Sequence, residues 1–429
     1  MSTLADIAAP QAREMRKRAW RWHFLAAFLV IPFVLWQSVT GTIYLWSESW
    51  TDARHPQLRF VTPQPGRASL DAQATNMRFA YPDAVIGGIE VPEDPRRSTL
   101  FTLAGSGELP IAAFADPYTG QVLGSLQGAD WPAGWSRKLH GGWPLGEAGS
   151  WLLELGACWT IVMVLSGLYL WWPRDGRSLL RSLVPRLRKG RWTFWRDLHA
   201  CVAVWFSVLI VLFLFTALPW TSFWGTRVLQ PLQRMLEQGA PAAAGFAPVF
   251  ADSGATGGEA SLQAMLEQSR LRGMKGDLAF HMVAGPPGSA VSVRNAMPRP
   301  SQQHYLLLAR NDASVVGEAQ WEDFPIIART VATGVSIHEG GYFGRIGPWL
   351  NTLFASALVW LSLSGFMAWW RRKPIDAMGA PPRPARPWPM WLKFSSVLLF
   401  ATLPLLALSA ALLWLAETLW LSLTPQTTR

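Results

Sequence analysis

Cysteine and charge are both scarce in this chain. Only Cys158 and Cys201 occur among 429 residues, and both lie inside apolar runs. Two such thiols cannot build a disulfide framework, so any soluble portion must be held by an ordinary hydrophobic core. Nor can they alone make a cysteine-based zinc or iron–sulfur site. Charged residues amount to 15%, and no catalytic triad or carboxylate dyad stands out among them. The Gly105-Ser-Gly107 segment opens no helix and does not continue as a dinucleotide fingerprint, so it reads as a turn. What is plentiful is apolar: 50% of the residues are hydrophobic, 26 are tryptophan, and the mean hydropathy is +0.16. Indole rings favour the headgroup level of a bilayer, so this composition describes an integral membrane protein with sizeable extramembrane parts. The net charge of +10 is no nucleic-acid signal, because the basic residues sit at the ends of apolar runs and there set orientation.

One long stretch occurs twice. KLHGGWPLGEAGSWLLELGACWTIVMVLSGLYLWWPR, from Lys138 to Arg174, returns from Ser336 to Arg372 as SIHEGGYFGRIGPWLNTLFASALVWLSLSGFMAWWRR. At an offset of 198 (338 − 140), His140 falls on His338, Gly142 on Gly340, Gly146 on Gly344 and Gly149 on Gly347. Trp151 falls on Trp349, Ser166-Gly167 on Ser364-Gly365, and Trp171-Trp172 on Trp369-Trp370. Each copy places a histidine just ahead of an apolar run long enough to span about 30 Å of hydrocarbon.

The organisation follows from these runs. A basic tail, 1–23, precedes a first span at 24–46, which is too long and tryptophan-rich for a cleaved leader. Further spans are expected at 150–172, 198–221, 347–370 and 390–421, the last kinked at Pro404. Basic loops at 173–197 and 371–389 mark the cytoplasmic side, which puts the N-terminus inside and the tail 422–429 outside. The polar stretches 47–149 and 222–346 read as two small α+β modules on the outer side. Their strand signals are YPDAVIGGIEV, STLFTLAG, LPIAAFADPYTG and QVLGSL, then DLAFHMVA, AVSVRNAM and HYLLLAR, with SLQAMLEQSRL helical. The fold class is thus a mainly α membrane protein, a duplicated four-helix bundle with a fifth C-terminal helix and two outer modules.

Four of the seven histidines occupy related boundary positions. His23 and His199 each open an apolar run, 176 apart (199 − 23), at the inner face; His140 and His338 lie at the outer face. Each level then offers two imidazoles, the usual axial set for a b-type haem. No CxxCH occurs, so covalent attachment is excluded. Gly142 and Gly340 are expected to clear room for a flat ring. Arg137 or Lys138 and Arg345, with Arg21 and Arg196 at the inner level, are candidates for propionates. A lone histidine at a helix boundary is ordinarily an interfacial residue or cap; four at symmetric depths favour ligation. The rival is a metal site without porphyrin, which needs a carboxylate such as Glu147, Glu339 or Asp197 to join two histidines. Asp197 can instead orient His199 or pair with Arg196. His55, His281 and His304 fall in soluble stretches and read as local hydrogen-bonding residues. The spans show no buried acid or broken helix of the transporter kind.

At LHGGWPLG…SGLYLWWPR, WRDLHACVAVWFSVLIVLFLFTALPW and IHEGGYFGRIGPWLN…SGFMAWWRR, the chain resembles the PepSY-associated transmembrane helix family of iron-regulated membrane proteins. YPDAVIGGIEV and FADPYTGQVLG are similar to its PepSY modules. The resemblance covers nearly the whole chain. It implies a bacterial inner-membrane reductase with two haems b, passing electrons outward to a ferric siderophore in the periplasm. His140 and His338, then His199, match the family best, and His23 least. No reductase domain fits the short inner loops, so the donor is a separate quinol or cytoplasmic reductase. The alternative is a PepSY-type sensor or regulatory protein without enzymatic activity.

Overall fold

A computed structural model describes residues 4–173, 178–186, 188, 190–244, 260–282, 290–375, 378–379, 381 and 387–423. Most of the linker (245–259), much of the Pro/Arg loop (382–386), and Arg174, Asp175, Arg177 and Lys189 of the first basic loop lie outside the described residues. In chain order come helix α1 (Leu4–Arg54), helix α2 (Leu70–Ala80) and strands β1 (Val85–Val91), β2 (Thr99–Ala104), β3 (Ile111–Ala115) and β4 (Val122–Leu126). Helices α3 (Pro132–His140), α4 (Gly146–Trp171), α5 (Arg191–Ala217) and α6 (Leu262–Leu271) follow. Then come β5 (Leu278–His281), β6 (Ala290–Asn295), β7 (Tyr305–Ala309) and β8 (Val315–Ala319), and helices α7 (Ile326–His338), α8 (Gly347–Trp370), α9 (Met390–Thr402) and α10 (Pro404–Leu423).

Among the described residues, four helices are long and apolar enough to cross a membrane: Gln11–Arg54, Gly146–Trp171, Arg191–Trp220 and Gly344–Trp370. The fifth apolar run, expected as one span at 390–421, is two helices divided at Leu403. Pro404 is the cause, since it donates no backbone hydrogen bond and its ring clashes with the preceding turn. The chain forms two compact units, one of residues 1–39, 140–229 and 352–429, the other of 40–139 and 230–351.

The helical unit packs Val30 and Val34 of α1 against Cys158, Trp159 and Ile161 of α4, with Leu218, Leu403 and Leu406 closing the cluster. A Cβ at Gly156 would sit 2.5 Å from the Phe33 ring, so glycine there lets α1 and α4 approach. Cys158 and Cys201 are free and buried. Trp171 and Trp369, equivalent positions of the repeat, each donate an indole N–H to a loop carbonyl, at Ser182 (3.0 Å) and Met378 (2.9 Å).

The two polar stretches do not make two separate modules. Their strands join in one eight-stranded sheet of order β4-β3-β2-β1-β5-β6-β7-β8. The seam is the antiparallel pair β1·β5, with Gly88 opposite His281 and Val91 opposite Leu278. Each four-stranded half alone would expose an edge row of unpaired N–H and C=O groups, and pairing the edges removes both. Alternation then decides the faces. Ile89, Val91, Phe101, Leu103, Leu278, Phe280, Val291 and Val293 meet α2 and α6 in the main core. The two helices cap one another: Asp71 accepts from the Leu262 and Gln263 amides (2.8 and 3.1 Å), and Gln263 accepts from the Leu70 amide (3.0 Å). The Asp116–Gly120 turn forms as its residues require, with the Tyr118 N–H on the Asp116 carboxylate and Gly120 at φ +74°.

Candidate functional site

His23 lies on α1 and His199 on α5, and the helical unit brings their rings together, nearly perpendicular. Their ring centres are 6.3 Å apart and their planes cross at 81°. His23 Nδ1 is 3.0 Å from the Met163 carbonyl and 3.3 Å from Ser166 Oγ. His199 Nδ1 is 3.1 Å from the Leu361 carbonyl and 3.1 Å from Ser364 Oγ. These brackets are the same two positions of the repeat, 198 apart (361 − 163 and 364 − 166). A carbonyl only accepts, so Nδ1 donates and the proton resides there. Each Nε2 then keeps its lone pair, the tautomer in which a histidine ligates a metal. Two imidazoles bound to one metal from opposite sides, at about 2 Å per bond, have ring centres about 6 Å apart. The inner pair therefore fits a bis-imidazole centre.

Glycine completes each bracket. A Cβ on Gly167 would lie 3.1 Å from His23 Cε1, and one on Gly365 would lie 3.1 Å from His199 Cε1. The repeat carried this signal, since Ser166-Gly167 and Ser364-Gly365 coincide in it, but only packing reveals that they abut the histidines. The order expected from the sequence, with His23 weakest, does not describe the geometry: both rings are held alike.

Other expected partners are placed differently. Asp197 does not reach for His199; it binds Arg186 (2.6 Å) and Arg196 (2.5 Å). Arg196 also stacks over Trp192, at 4.6 Å, and Arg21 donates to the Pro381 carbonyl (2.8 Å). Trp20 stacks beside His23, with ring centres 6.5 Å apart.

His140 ends α3 and belongs to the helical unit, where its carbonyl accepts from Gln37 Nε2 (3.2 Å). Burial pushes its imidazole down to about 4, which keeps it neutral, as a ligand must be. His338 ends α7 in the other unit, and its carbonyl accepts from Asn351 Nδ2 (2.9 Å). Arg137 and Arg345 are exposed.

The glycines near these histidines have another task than ring clearance. Gly142 and Gly340 have φ of +104° and +78°, and a Cβ on Gly149 or Gly347 would collide with the carbonyl of Gly142 or Gly340. They close each histidine loop onto the helix that follows, backbone against backbone.

Among the described residues no three His, Cys, Asp or Glu gather as a metal cage, so the carboxylate-assisted rival finds no third ligand. Glu147 is instead 3.7 Å from Arg227. By sequence the spans read as free of buried acids, yet Glu154 of α4 is wholly buried.

The remaining histidines serve the sheet unit. His304 Nε2 meets Glu318 at 2.8 Å, and His55 packs edge-on against Trp50. His281 sits on the sheet face opposite the main core, and burial lowers its pKa, with the charges of Arg294 and Arg137 acting the same way. A lowered folded pKa means the unfolded chain binds the proton first, so stability falls as pH drops below about 6.5. The melting temperature should fall between pH 7.5 and pH 5, and less so in His281→Gln. Equal losses in both proteins would assign the effect elsewhere.

The fold and this geometry define a multi-pass membrane protein with histidines paired inside its helical unit. The chain belongs to the family described as the PepSY-associated TM region, whose pattern matches residues 20–372. No curated protein matches it significantly.

Proposed function

We propose that this chain is a di-haem reductase of the bacterial inner membrane, passing electrons outward to ferric siderophores in the periplasm. The observation that carries the reading is the inner pair: two imidazoles 6.3 Å apart, each with Nδ1 engaged by a carbonyl and a serine of its own repeat's second helix. In this reading His23 and His199 would hold one haem b, and the assignment of His140 and His338 to the second rests on the sequence repeat alone. The N-terminus lies in the cytoplasm and the C-terminus in the periplasm, as the basic loops imply.

The chain's own residues do three things. The carbonyls of Met163 and Leu361 hold each Nδ1 proton, which fixes ring orientation and raises the basicity of Nε2. Gly167 and Gly365 let α4 and α8 press on the imidazole edges. The apolar cluster around Trp159 and Leu218 keeps water out. Haem, when bound, supplies one-electron transfer. Hard siderophore oxygens hold Fe(III) better than Fe(II), so reduction loosens the metal without any acid, base or nucleophile.

The absorption spectrum of purified protein tests the reading. A Soret band with split α and β bands is expected on dithionite reduction, with oxidation when ferric chelate is added. Colourless protein from haem-sufficient cells would leave the non-enzymatic sensor as the better account. Within the bracket, Ser166→Ala with Ser364→Ala should weaken haem retention about tenfold, the usual cost of losing an outer-shell partner. Haem transfer to apomyoglobin measures this.

A further inference from the structure

Three buried polar atoms without a hydrogen-bond partner belong to residues packed together at the start of α4: Trp151 Nε1, Glu154 Oε1 and Ser222 Oγ. Trp151 and Glu154 are three residues apart and share one helix face. The turn after α5 is strapped across that face. The Ser222 N–H donates to Ser150 Oγ and the Trp224 N–H to Glu154 Oε2, both at 2.9 Å. Phe223 packs edge-on against the Trp151 indole, with ring centres 5.8 Å apart. The Thr221 hydroxyl and the Phe223 amide also act on the carboxylate. The chain then runs through a π-helical segment, Trp224–Leu229, a form that concentrates at functional sites.

The Trp224 amide that staples this turn uses Oε2. It leaves Oε1 and two donors unexplained, and a carboxylate at membrane depth is costly unless used. Together the groups offer one acceptor, two donors and aromatic walls. The neighbouring side chains Leu152 and Trp220 are 46% and 48% exposed, which on a membrane helix means contact with lipid.

We propose that Trp151, Glu154 and Ser222 bind the head group of a membrane-soluble hydroquinone, the electron donor of the reaction proposed above. One ring hydroxyl donates to Glu154 Oε1, and the opposite ring oxygen accepts from the Trp151 N–H and Ser222 O–H. Oxidation of the hydroquinone to the quinone releases two electrons and two protons. Glu154 takes the first proton and water the second, and the two electrons would pass singly to a haem, the one-electron acceptor of the reading on which this inference rests. The site lies at the outer end of α4, on the level of His140, so these electrons would enter beside His140 and not through the inner pair. Gly149 touches Gly142, two residues from His140, and Glu154 stands five residues further on, about 7.5 Å along the helix.

The test uses the full chain in nanodiscs with decylubiquinone as probe. Saturable quenching of tryptophan fluorescence is expected. Glu154→Gln and Trp151→Phe should each weaken it about tenfold, the loss of one hydrogen bond to a charged or buried group. Decylubiquinol should reduce the bound haem about tenfold more slowly in Glu154→Gln, while dithionite gives the same spectrum as in wild type. Should Glu154→Gln fail to fold, Trp151→Phe and Ser222→Ala leave the Glu154–Trp224 bond intact and answer the same question. Non-saturable quenching, or equal affinity in wild type and these variants, overturns the site. Saturable binding lost in the variants of a haem-free protein would keep the site and overturn the redox reading instead.

Discussion

His199→Ala is expected to lower the haem content from about two per chain to about one, with His23→Ala giving the same loss. The reason is geometric. The two rings stand 6.3 Å apart, so in the proposed reading His23 and His199 would together hold one haem, and removing either would leave it held by a single residue. The double variant should lose no more than either single one, because both residues act on one centre and their effects do not add. Reduced pyridine-haemochrome spectra count the haem directly. His304→Ala is the control, since that ring bonds Glu318 in the sheet unit. Two haems retained in His199→Ala would overturn the inner site, whatever the activity.

Gly347→Ala and Gly149→Ala should be the most damaging glycine-to-alanine changes among the described residues. In each, the new Cβ would collide with the backbone carbonyl of the matching loop glycine, Gly340 or Gly142. Backbone cannot rotate aside as a side chain can, so the loop and helix must part, at roughly 3 kcal/mol or more. Gly344→Ala is the contrast. Its φ is +58° with nothing within 4 Å, so only the left-handed conformation is strained, at roughly 1–2 kcal/mol. Yield of folded protein by fluorescence-detected size exclusion, and its melting temperature, should therefore rank wild type, Gly344→Ala, then Gly347→Ala. Wild-type stability in Gly347→Ala would show that the loop need not touch the helix.

The strands and membrane helices were legible because their signals are local. Apolar length marks a span, and alternation with a closing turn marks a strand, as in YPDAVIGGIEV and at Asp116–Gly120. The last strand was less so. β8, Val315–Ala319, is short, with Gly317 packed against Leu307, and too little alternates there to be read. The π-helical segment after α5 gave no pattern of period 3.6 either. Glu154 escaped notice because one acid in an apolar helix reads like a boundary residue until its neighbours are known.

Two kinds of information therefore met in the histidine sites. The sequence by itself determined that the chain is duplicated, that it crosses a membrane, and that each repeat carries matched histidines, serines and glycines, because these are matters of order and spacing along one strand of polymer. Only the tertiary structure decided which of them meet. It set His23 against His199 with a serine and a carbonyl behind each, paired Asp197 with arginines, turned Gly142 and Gly340 to closing loops, and merged two polar stretches into one sheet. The histidine brackets and the sheet seam join positions more than 100 residues apart, whereas Asp197 and the loop glycines meet near neighbours in sequence. In both cases the choice of partner is made by packing and by the need to satisfy buried polar groups.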